Sequence, residues 1–368
     1  MTSRGRPTAV GSYIFAGGQT VGVERAGFEV LAHLEDGAYG VKTFRANRPD
    51  IPVYTVPGEW PIEDLFPKQI DFVYANPPCA VFSNAGKSHG SLHGWRSDPR
   101  LDCYRRCFGL LGALKPRVLS IESVQNAYRN GREFMQELEV SAAEMGYNTT
   151  HLFVDGRYLG LPQSRRRHFL VFSRARFAAR APDFRTRVTV ADVLRDVKDP
   201  GWHRPVKPEL LPIYESLRPR QGVADAWLKL NPKETWVVDE KTGRVRGRPR
   251  MMEARWPWDD VGGCFIGDFV IHPLEPRPLG VNEAKRICQY PDDWKLGCPP
   301  ASAFSEFARS VLPPVAEWLG KQVMATLERP PTNAPHLDIY DFLTPHSLFG
   351  APVEEISEDD PFVVESVT

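Results

Sequence analysis

Cys79 is the residue whose surroundings point most directly to chemistry. It lies in the segment Asn76–Ser83 (NPPCAVFS), directly after the apolar run Asp71–Tyr74, which has the pattern of a short buried strand. Two prolines stiffen the turn and hold the cysteine at the carboxyl end of that strand. A nucleophile needs such a fixed, partly exposed position. A buried structural thiol is the commoner alternative, and we take it for the other cysteines, which lack zinc-ligand spacing.

Two further polar segments adjoin apolar runs. Glu122 follows the run Val118–Ile121, and the basic segment Gly160–His168 (GLPQSRRRH) leads into another. In an extended segment Arg165 and Arg167 point to the same side. Their guanidiniums suit a carboxylate, a phosphate or a carbonyl oxygen, and a carboxyl group at a strand end suits the edge of a base. For each segment taken alone, a solvated loop glutamate and a solvated charge run are the alternatives.

A framework of strands and helices must bring these segments together. Apolar runs predict short buried strands at Val10–Phe15, Val30–Leu34, Asp71–Tyr74, Val118–Ile121 and His168–Phe172. Apolar residues three and four apart predict helices at Val21–Ala26, Leu101–Leu114, Glu133–Glu144, Val281–Tyr290 and Phe304–Leu327. This alternation predicts an α/β fold with a Rossmann-like, mostly parallel sheet and helices on both faces. Ligands of such folds bind at the carboxyl ends of the strands.

The pattern changes along the chain and divides it into four parts. Residues 1–173 carry the alternation of strands and helices. Residues 174–271 are rich in Arg, Pro, Trp and Gly and predict a small irregular domain with a basic surface. Residues 272–330 predict a return to the first domain. Residues 331–368 predict a Pro-rich and acidic tail, in which Glu354–Asp360 is expected to be disordered.

Composition excludes several classes of protein. Lys+Arg 46 balances Asp+Glu 46 over 368 residues, which excludes a wholly basic nucleic-acid binder but not a locally basic face. No apolar run approaches the roughly 20 residues of a membrane span, and the polar N-terminus lacks the apolar core of a signal peptide. The cysteine count of 6 favours reduced thiols over a disulfide framework. We therefore expect a cytoplasmic protein without a membrane partner.

Taken together and in order, the motifs resemble those of the DNA cytosine-C5 methyltransferase family. The resemblance runs from about Val10 to Gly320 and is interrupted only by residues 174–271. Its motifs are the glycine loop Ala16–Gly18, the catalytic loop around Cys79, the counterpart of the Glu-Asn-Val motif at Glu122–Val124, the Gln-x-Arg-x-Arg motif at Gln163–Arg167, the segment Arg277–Asp292 and the closing segment Ser310–Pro314. Ala80 replaces the usual Gln after the cysteine, and Ser123 replaces Asn.

The resemblance implies a base-flipping enzyme that needs no metal. By this resemblance Cys79 adds to C6 of cytosine, and Glu122 hydrogen-bonds N3 and the exocyclic amine. Arg165 and Arg167 support the loop and the cytosine O2. C5 then accepts the methyl group of S-adenosylmethionine, and β-elimination releases Cys79 and leaves 5-methylcytosine. Cationic surroundings favour the thiolate that this reaction needs.

The resemblance also assigns the parts of the chain. Residues 1–173 and 272–330 form the catalytic, cofactor-binding domain, and residues 174–271 form the target-recognition domain. The strip Arg244–Arg250 in that domain suits phosphates or guanines. The implied partner is double-stranded DNA, bound by a monomer, in restriction–modification or phage DNA modification within a prokaryotic cell or a phage-infected host.

Cofactor-binding residues follow from the same motifs. They are Tyr13, Phe15, Ala16, Gly17, Gly18, Glu35, Asn76, Pro77, Arg309, Ser310 and Val311. Several positions on this side depart from the family pattern: Tyr13 stands for the aromatic residue of the loop, Phe15 for its first glycine, and Ala308 and Arg309 for Gly-Asn. Between Arg48 and Trp60 there is no clear counterpart of the Asp that meets the adenine. A bulky residue at a glycine that lets the backbone approach a ligand is not conservative.

These departures leave three functions open: the ordinary methyltransferase, the same chemistry with a modified donor, and a catalytically silent DNA-binding homologue. The intact Cys79 and Glu122 argue against the last. Arg309 beside a sulfonium is a like-charge contact, whereas it would pair with a carboxylate next to the transferred carbon. Such a donor is carboxy-S-adenosylmethionine, and the product would be 5-carboxymethylcytosine. Alternatively, Arg309 points to solvent or to a phosphate.

The substrate also has an alternative, because one branch of the family modifies transfer RNA. The size of the variable region, residues 174–271, favours DNA. We therefore expect a DNA cytosine-C5 transferase, with the transferred group as the open point.

Overall fold

The computed structural model describes residues 5–55, 70–82, 96, 98–222, 237–238, 245–246, 254–267 and 270–345. The strands in this part of the chain are β1 Thr8–Ser12, β2 Glu29–Leu34, β3 Val53–Tyr54, β4 Phe72–Ala75, β5 Val118–Ser123, β6 Asn148–Asp155, β7 Arg166–Ser173, β8 Val237–Val238, β9 Val245–Arg246, β10 Ala254–Arg255, β11 Val270–Ile271 and β12 Leu337–Phe342. The helices are α1 Gly18–Arg25, α2 Ala38–Asn47, α3 Leu101–Leu114, α4 Asn126–Asn130, α5 Arg132–Glu144, α6 Val190–Leu194, α7 Leu211–Ser216, α8 Val281–Ile287, α9 Pro300–Arg309 and α10 Pro313–Leu327.

The central sheet has eight strands in the order β12-β6-β7-β5-β4-β1-β2-β3. Only β7 is antiparallel to its neighbours in this sheet, β5 and β6, and the other pairs are parallel. The predicted mostly parallel sheet is confirmed. Because β7 is reversed, its first residues lie at the edge where the parallel strands end. Arg165 and Arg167 therefore reach the same edge as the residues that follow β4 and β5.

Helices cover both faces of the sheet, as predicted. Successive residues of β4 alternate between two apolar layers: Phe72 belongs to one and Val73 to the other. The layer with Phe72 contains buried residues of α1 and α10, and the layer with Val73 contains those of α3 and α5. Burial on both faces explains why β4 is a continuous apolar run.

Several elements differ from the sequence prediction: helix α2 and strand β3 were not predicted, and the strand predicted over Val10–Phe15 ends at Ser12. The single helix predicted over Phe304–Leu327 is two helices, because Pro313 and Pro314 cannot continue α9 and force Leu312 into an extended conformation (ψ 149°). Strand β6 was not predicted because its first half, Asn148–His151, is polar. Strand β12 pairs with β6 inside the predicted C-terminal tail, so the prediction of a tail is wrong for Leu337–Phe342. The acidic segment of that tail lies outside the described residues.

Residues 174–271 are described only in part. Phe177, Val190, Trp256 and Phe265 from this range share an apolar core with α1 and α10. A small separate cluster contains Leu210, Ile213, Tyr214, Leu217 and Ile271. The arginine strip lies outside the described residues except for the backbone of β9. The separate recognition domain and its bounds therefore stay a prediction.

Within the described part of the chain, no helix combines the length and the apolar character that a membrane crossing requires.

Candidate active site

Glu122 and Arg167 form an ion pair at the carboxyl edge of the sheet. Arg167 Nε lies 2.7 Å from Glu122 Oε1, and the carboxylate is 1% exposed. Neither carboxylate oxygen has a well-aligned hydrogen-bond donor among the described residues. Burial raises the pKa of Glu122, and the charges of Arg167 and Arg165 oppose that shift. Arg167 thus holds the carboxyl group through Oε1, while Oε2 has no hydrogen-bond partner among the described residues.

Cys79 begins a short 3-10 turn, Cys79–Val81, directly after Pro77 and Pro78. Its thiol is half-buried. Burial raises the pKa of Cys79 to about 11, the charge of Glu122 adds to the shift, and Arg167 and Arg165 oppose it. The predicted cationic surroundings are present, but burial outweighs them, so the pKa of the thiol is raised rather than lowered.

Arg165 is engaged differently from Arg167. Its guanidinium is 1% exposed and donates hydrogen bonds to the carbonyl oxygens of Phe265 (3.1 Å), Ala308 (2.6 Å) and Ser310 (2.9 Å). These contacts join the end of α9 to the segment before β11. Both terminal nitrogens of Arg165 thus bind the backbone, whereas its buried Nε has no partner among the described residues.

Gln163 makes a parallel connection. Its Oε1 accepts a hydrogen bond from the Phe265 backbone N–H at 3.0 Å, and its Nε2 donates to the carbonyl oxygen of Ile287 at 3.4 Å. In the Gln-x-Arg-x-Arg motif, Gln163 and Arg165 therefore bind the backbone of other segments, whereas Arg167 forms the ion pair with Glu122.

The loop after β1 keeps a conformation that favours glycine, although it carries bulky side chains. Tyr13 has φ 57° and Phe15 has φ 46°, both in the left-handed region. Gly17, with φ 84°, ends the loop before α1. A Cβ at Gly17 would meet Trp294 at 2.6 Å, and a Cβ at Gly18 would meet the carbonyl oxygen of Val311 at 2.4 Å. These two glycines therefore make room for protein atoms.

Ala16 and Ser310 bind the loop to the closing segment. The Ala16 N–H donates to Ser310 Oγ at 2.8 Å, and the Ala16 carbonyl accepts from Trp294 Nε1 at 2.8 Å. The structure thus brings Ala16, Gly17, Gly18, Ser310 and Val311 together, mainly through contacts with one another and with Trp294. Their shared effect is to fix the shape of the loop.

Glu35 and Asn76 carry buried acceptors at the same edge. Glu35 Oε2 accepts from the N–H groups of Ile14 (2.5 Å) and Phe15 (3.3 Å), and Oε1 accepts from Gly37 (2.7 Å). Burial raises the pKa of Glu35, and no described residue forms an ion pair with it. Asn76 donates to the carbonyl oxygen of Arg309 at 3.0 Å, whereas its buried Oδ1 has no partner among the described residues.

Arg309 contacts Phe15, which also departs from the family pattern. Its guanidinium carbon lies 5.0 Å from the centroid of the Phe15 ring, and the same guanidinium forms an ion pair with Glu306. Sequence reasoning missed Glu306. The available signal was its position three residues before Arg309 on one helix, where side chains are neighbours.

The described residues of this site include no candidate metal ligand set. The described ranges contain no cluster of three or more His, Cys, Asp or Glu residues arranged to hold an ion.

Known proteins resemble the chain in sequence and in fold. The model of the family described as C-5 cytosine-specific DNA methylase matches residues 14–325. The Type II methyltransferase M.PspPI of Psychrobacter is 25% identical over 86% of this chain and 79% of its own. The Type II methyltransferase M.NgoMIV of Neisseria gonorrhoeae is 25% identical over 85% of this chain and 96% of its own. The structure of the methyltransferase EhMeth of Entamoeba histolytica covers 89% of this chain and 100% of its own with a TM-score of 0.62 at 15% identity, a likeness of fold.

Proposed function

Since the chain belongs to the C-5 cytosine-specific DNA methylase family and is a DNA cytosine-C5 methyltransferase, we propose that it works through covalent addition of Cys79 to a flipped cytosine. One observation carries this proposal. Glu122 is buried and ion-paired, has unused hydrogen-bonding capacity, and lies close enough to Cys79 that its charge raises the pKa of the thiol. A nucleophile and a general acid are thus neighbours on one sheet edge.

The bond changes follow from these two groups. The Cys79 thiol loses its proton to solvent, the thiolate forms a bond to C6, and the electron pair of the C5–C6 double bond moves toward C5 and N3. Glu122 in its protonated form, which burial favours by raising its pKa, donates a hydrogen bond to N3 and stabilises that charge. Loss of the C5 proton to solvent restores the double bond after transfer and expels the Cys79 thiolate.

S-adenosylmethionine, when bound, supplies an electrophilic methyl group to the nucleophilic C5. The residues of the site fit this donor. Glu35 is a buried carboxylate without a described cation, and Asn76 Oδ1 is a buried acceptor without a described partner, so both suit the hydroxyl or ammonium groups of such a ligand. We propose Glu35, Asn76, Pro77, Tyr13 and Phe15 as the residues that hold it. Ala16, Gly17, Gly18, Ser310 and Val311 would act through the loop that they shape.

The identity of the transferred group depends on Arg309. Methyl transfer is supported by the ion pair with Glu306, because Arg309 already has a carboxylate partner and adds no net charge with it. Transfer of a carboxymethyl group from carboxy-S-adenosylmethionine is the alternative, and it would require Arg309 to exchange that partner for the donor. We therefore propose 5-methylcytosine as the product.

The DNA target would be read by residues 174–271, with Arg165 and Gln163 joining this region to the catalytic centre. The relatives are named Type II methyltransferases, which supports a role in restriction–modification. We propose that a monomer binds double-stranded DNA and that binding weakens as salt rises, since phosphate contacts release counterions.

Trapping on a modified base tests the nucleophile. A library of duplexes with 5-fluorocytosine should yield a covalent adduct at Cys79, because fluorine at C5 cannot leave as a proton. Cys79→Ser should give no adduct and no product, whereas Cys264→Ser, a change at an exposed thiol, should still form the adduct. Product in the Cys79→Ser variant at the normal rate would exclude this mechanism.

The product itself is identified by mass analysis of nucleosides after the protein has been supplied with both donors and with equal amounts of duplex DNA and transfer RNA. We expect 5-methylcytosine in the DNA. Only 5-carboxymethylcytosine, or modification of the RNA alone, would replace the proposed donor or substrate, and no product at all would favour the silent homologue.

A further inference from the structure

We propose that Glu306 is a specificity-determining residue: it neutralises Arg309 and thereby adapts the donor site to a cationic donor. The inference rests on the proposed function, because it concerns the donor of that reaction. No motif of the chain points to Glu306, and its role follows from three contacts around Arg309.

The first contact is the ion pair. Glu306 is 4% exposed, and among the described residues Arg309 is the only cation paired with it, whereas the Arg309 side chain is 50% exposed. A buried carboxylate that loses its cation is left uncompensated, which is strongly unfavourable. Glu306 therefore holds Arg309 more firmly than an exposed pair on a helix surface would.

The other two contacts fix where the pair lies. The guanidinium of Arg309 stacks over Phe15 at 5.0 Å, and the Phe15 N–H is bonded to Glu35. The carbonyl oxygen of Arg309 accepts from Asn76, three residues before Cys79. The Arg309–Glu306 pair thus lies between the loop after β1 and the turn that carries the nucleophile. In the proposed reaction, the sulfonium and C5 must meet in this region.

The charge of the pair then decides which donor is favoured. An unpaired Arg309 would repel a sulfonium and attract a carboxylate. The pair has no net charge, so the sulfonium meets no repulsion. A carboxylated donor would have to take Arg309 from a buried Glu306, and this cost lowers its affinity. Arg309 is therefore paired with Glu306 and stacked on Phe15, and it is not free to bind an anion.

Two ligands that differ in charge test this directly. S-adenosylmethionine carries the sulfonium, whereas S-adenosylhomocysteine has a neutral sulfur, so the ratio of their affinities reports the local charge. Calorimetry on the full chain should show this ratio falling roughly fivefold or more in Glu306→Gln, as expected for an unscreened guanidinium nearby. The same variant should bind carboxy-S-adenosylmethionine more tightly than the wild type does.

Two further variants separate charge from structure. In the double variant Glu306→Gln/Arg309→Gln the ratio should return toward the wild-type value, because the net charge is again zero. Glu317→Gln makes the same substitution in the exposed pair with Lys321 on α10 and should leave the ratio unchanged. If Glu306→Gln does not fold, Arg309→Gln alone should leave the ratio unchanged or shift it in favour of the sulfonium, because the buried Glu306 then either takes up a proton or keeps its negative charge.

The outcomes distinguish this inference from the function on which it rests. A wild-type protein that binds none of the three ligands would contradict the proposed function. Wild-type binding combined with an unchanged ratio in folded Glu306→Gln, or with a ratio shifted against the sulfonium in Arg309→Gln, would overturn the role of Glu306 alone.

Discussion

Arg167 reaches from β7 to place its Nε 2.7 Å from Glu122 Oε1 in the neighbouring strand β5. The register explains the contact: the ladder between these strands ends at Ser123 and His168, so Arg167 is the first residue beyond it. Arg165, two residues earlier, extends to backbone carbonyls instead. Two arginines of one motif therefore have different partners and should respond differently to substitution.

Glu122→Gln should separate nucleophile reactivity from catalysis. The negative charge of Glu122 raises the pKa of Cys79, so its removal should lower that pKa and speed alkylation of the thiol by iodoacetamide at pH 8. Methyl transfer should nevertheless fall by roughly a hundredfold or more, as for loss of a general acid. Peptide mapping of alkylated protein and single-turnover transfer rates measure the two effects. Slower alkylation of Cys79 together with an unchanged rate of methyl transfer would show that Glu122 has only a structural role.

The pH dependence of Cys79 has a definite sign. Its pKa is raised to about 11, and only the thiolate reacts, so the alkylation rate of the free protein should rise with pH from 8 to beyond 10. Below the raised pKa the expected slope is about tenfold per pH unit. Mass spectrometry resolves the Cys79 peptide from that of the exposed Cys264. A rate that levels off near pH 8 would show that the guanidiniums outweigh burial.

Arg165→Gln should mainly lower the free energy of unfolding, whereas Arg167→Gln should mainly lower the rate of methyl transfer. Loss of Arg165 leaves buried carbonyls of Phe265, Ala308 and Ser310 without donors, and we expect the free energy of unfolding to fall by about 3 kcal/mol or more. Loss of Arg167 should affect unfolding less, because Glu122 can take up a proton, but it should reduce transfer strongly. Urea unfolding and transfer assays on both variants test this. Equal destabilisation of the two variants would mean that the hydrogen bonds of Arg165 to these carbonyl oxygens do not stabilise the fold.

Phe15 should show the strain of its backbone. At φ 46° a residue without a side chain is favoured. Both Phe15→Gly and Phe15→Ala remove the ring and its contact with Arg309, and they differ only by a Cβ. We expect the glycine variant to be more stable than the alanine variant by about 1 kcal/mol, against the usual order for flexible glycine. Thermal unfolding of the two proteins without ligand decides the point.

The local sequence predicted most of the sheet and the edge that carries the site. Strands such as β5, predicted over Val118–Ile121, and helices such as Leu101–Leu114 bury particular residues. Those residues are apolar and recur with the period of the strand or helix, so the pattern is visible in the sequence. Parallel strands end at one edge, and the placement of Cys79 and Glu122 after two apolar runs, together with the family resemblance, predicted that they act in one site. The polar strand β6 and the late strand β12 lack that signal.

The partners of the long polar side chains were decided only by the tertiary structure. Arg165 and Arg167 have the same residue type and spacing, yet one binds carbonyls about a hundred or more residues away and the other binds Glu122. Arg309 and Phe15 were each recognised as departures, but their contact joins the two ends of the catalytic region. Hydrophobic periodicity records which face of an element is buried, whereas the group that a guanidinium meets depends on how segments distant in sequence pack against each other.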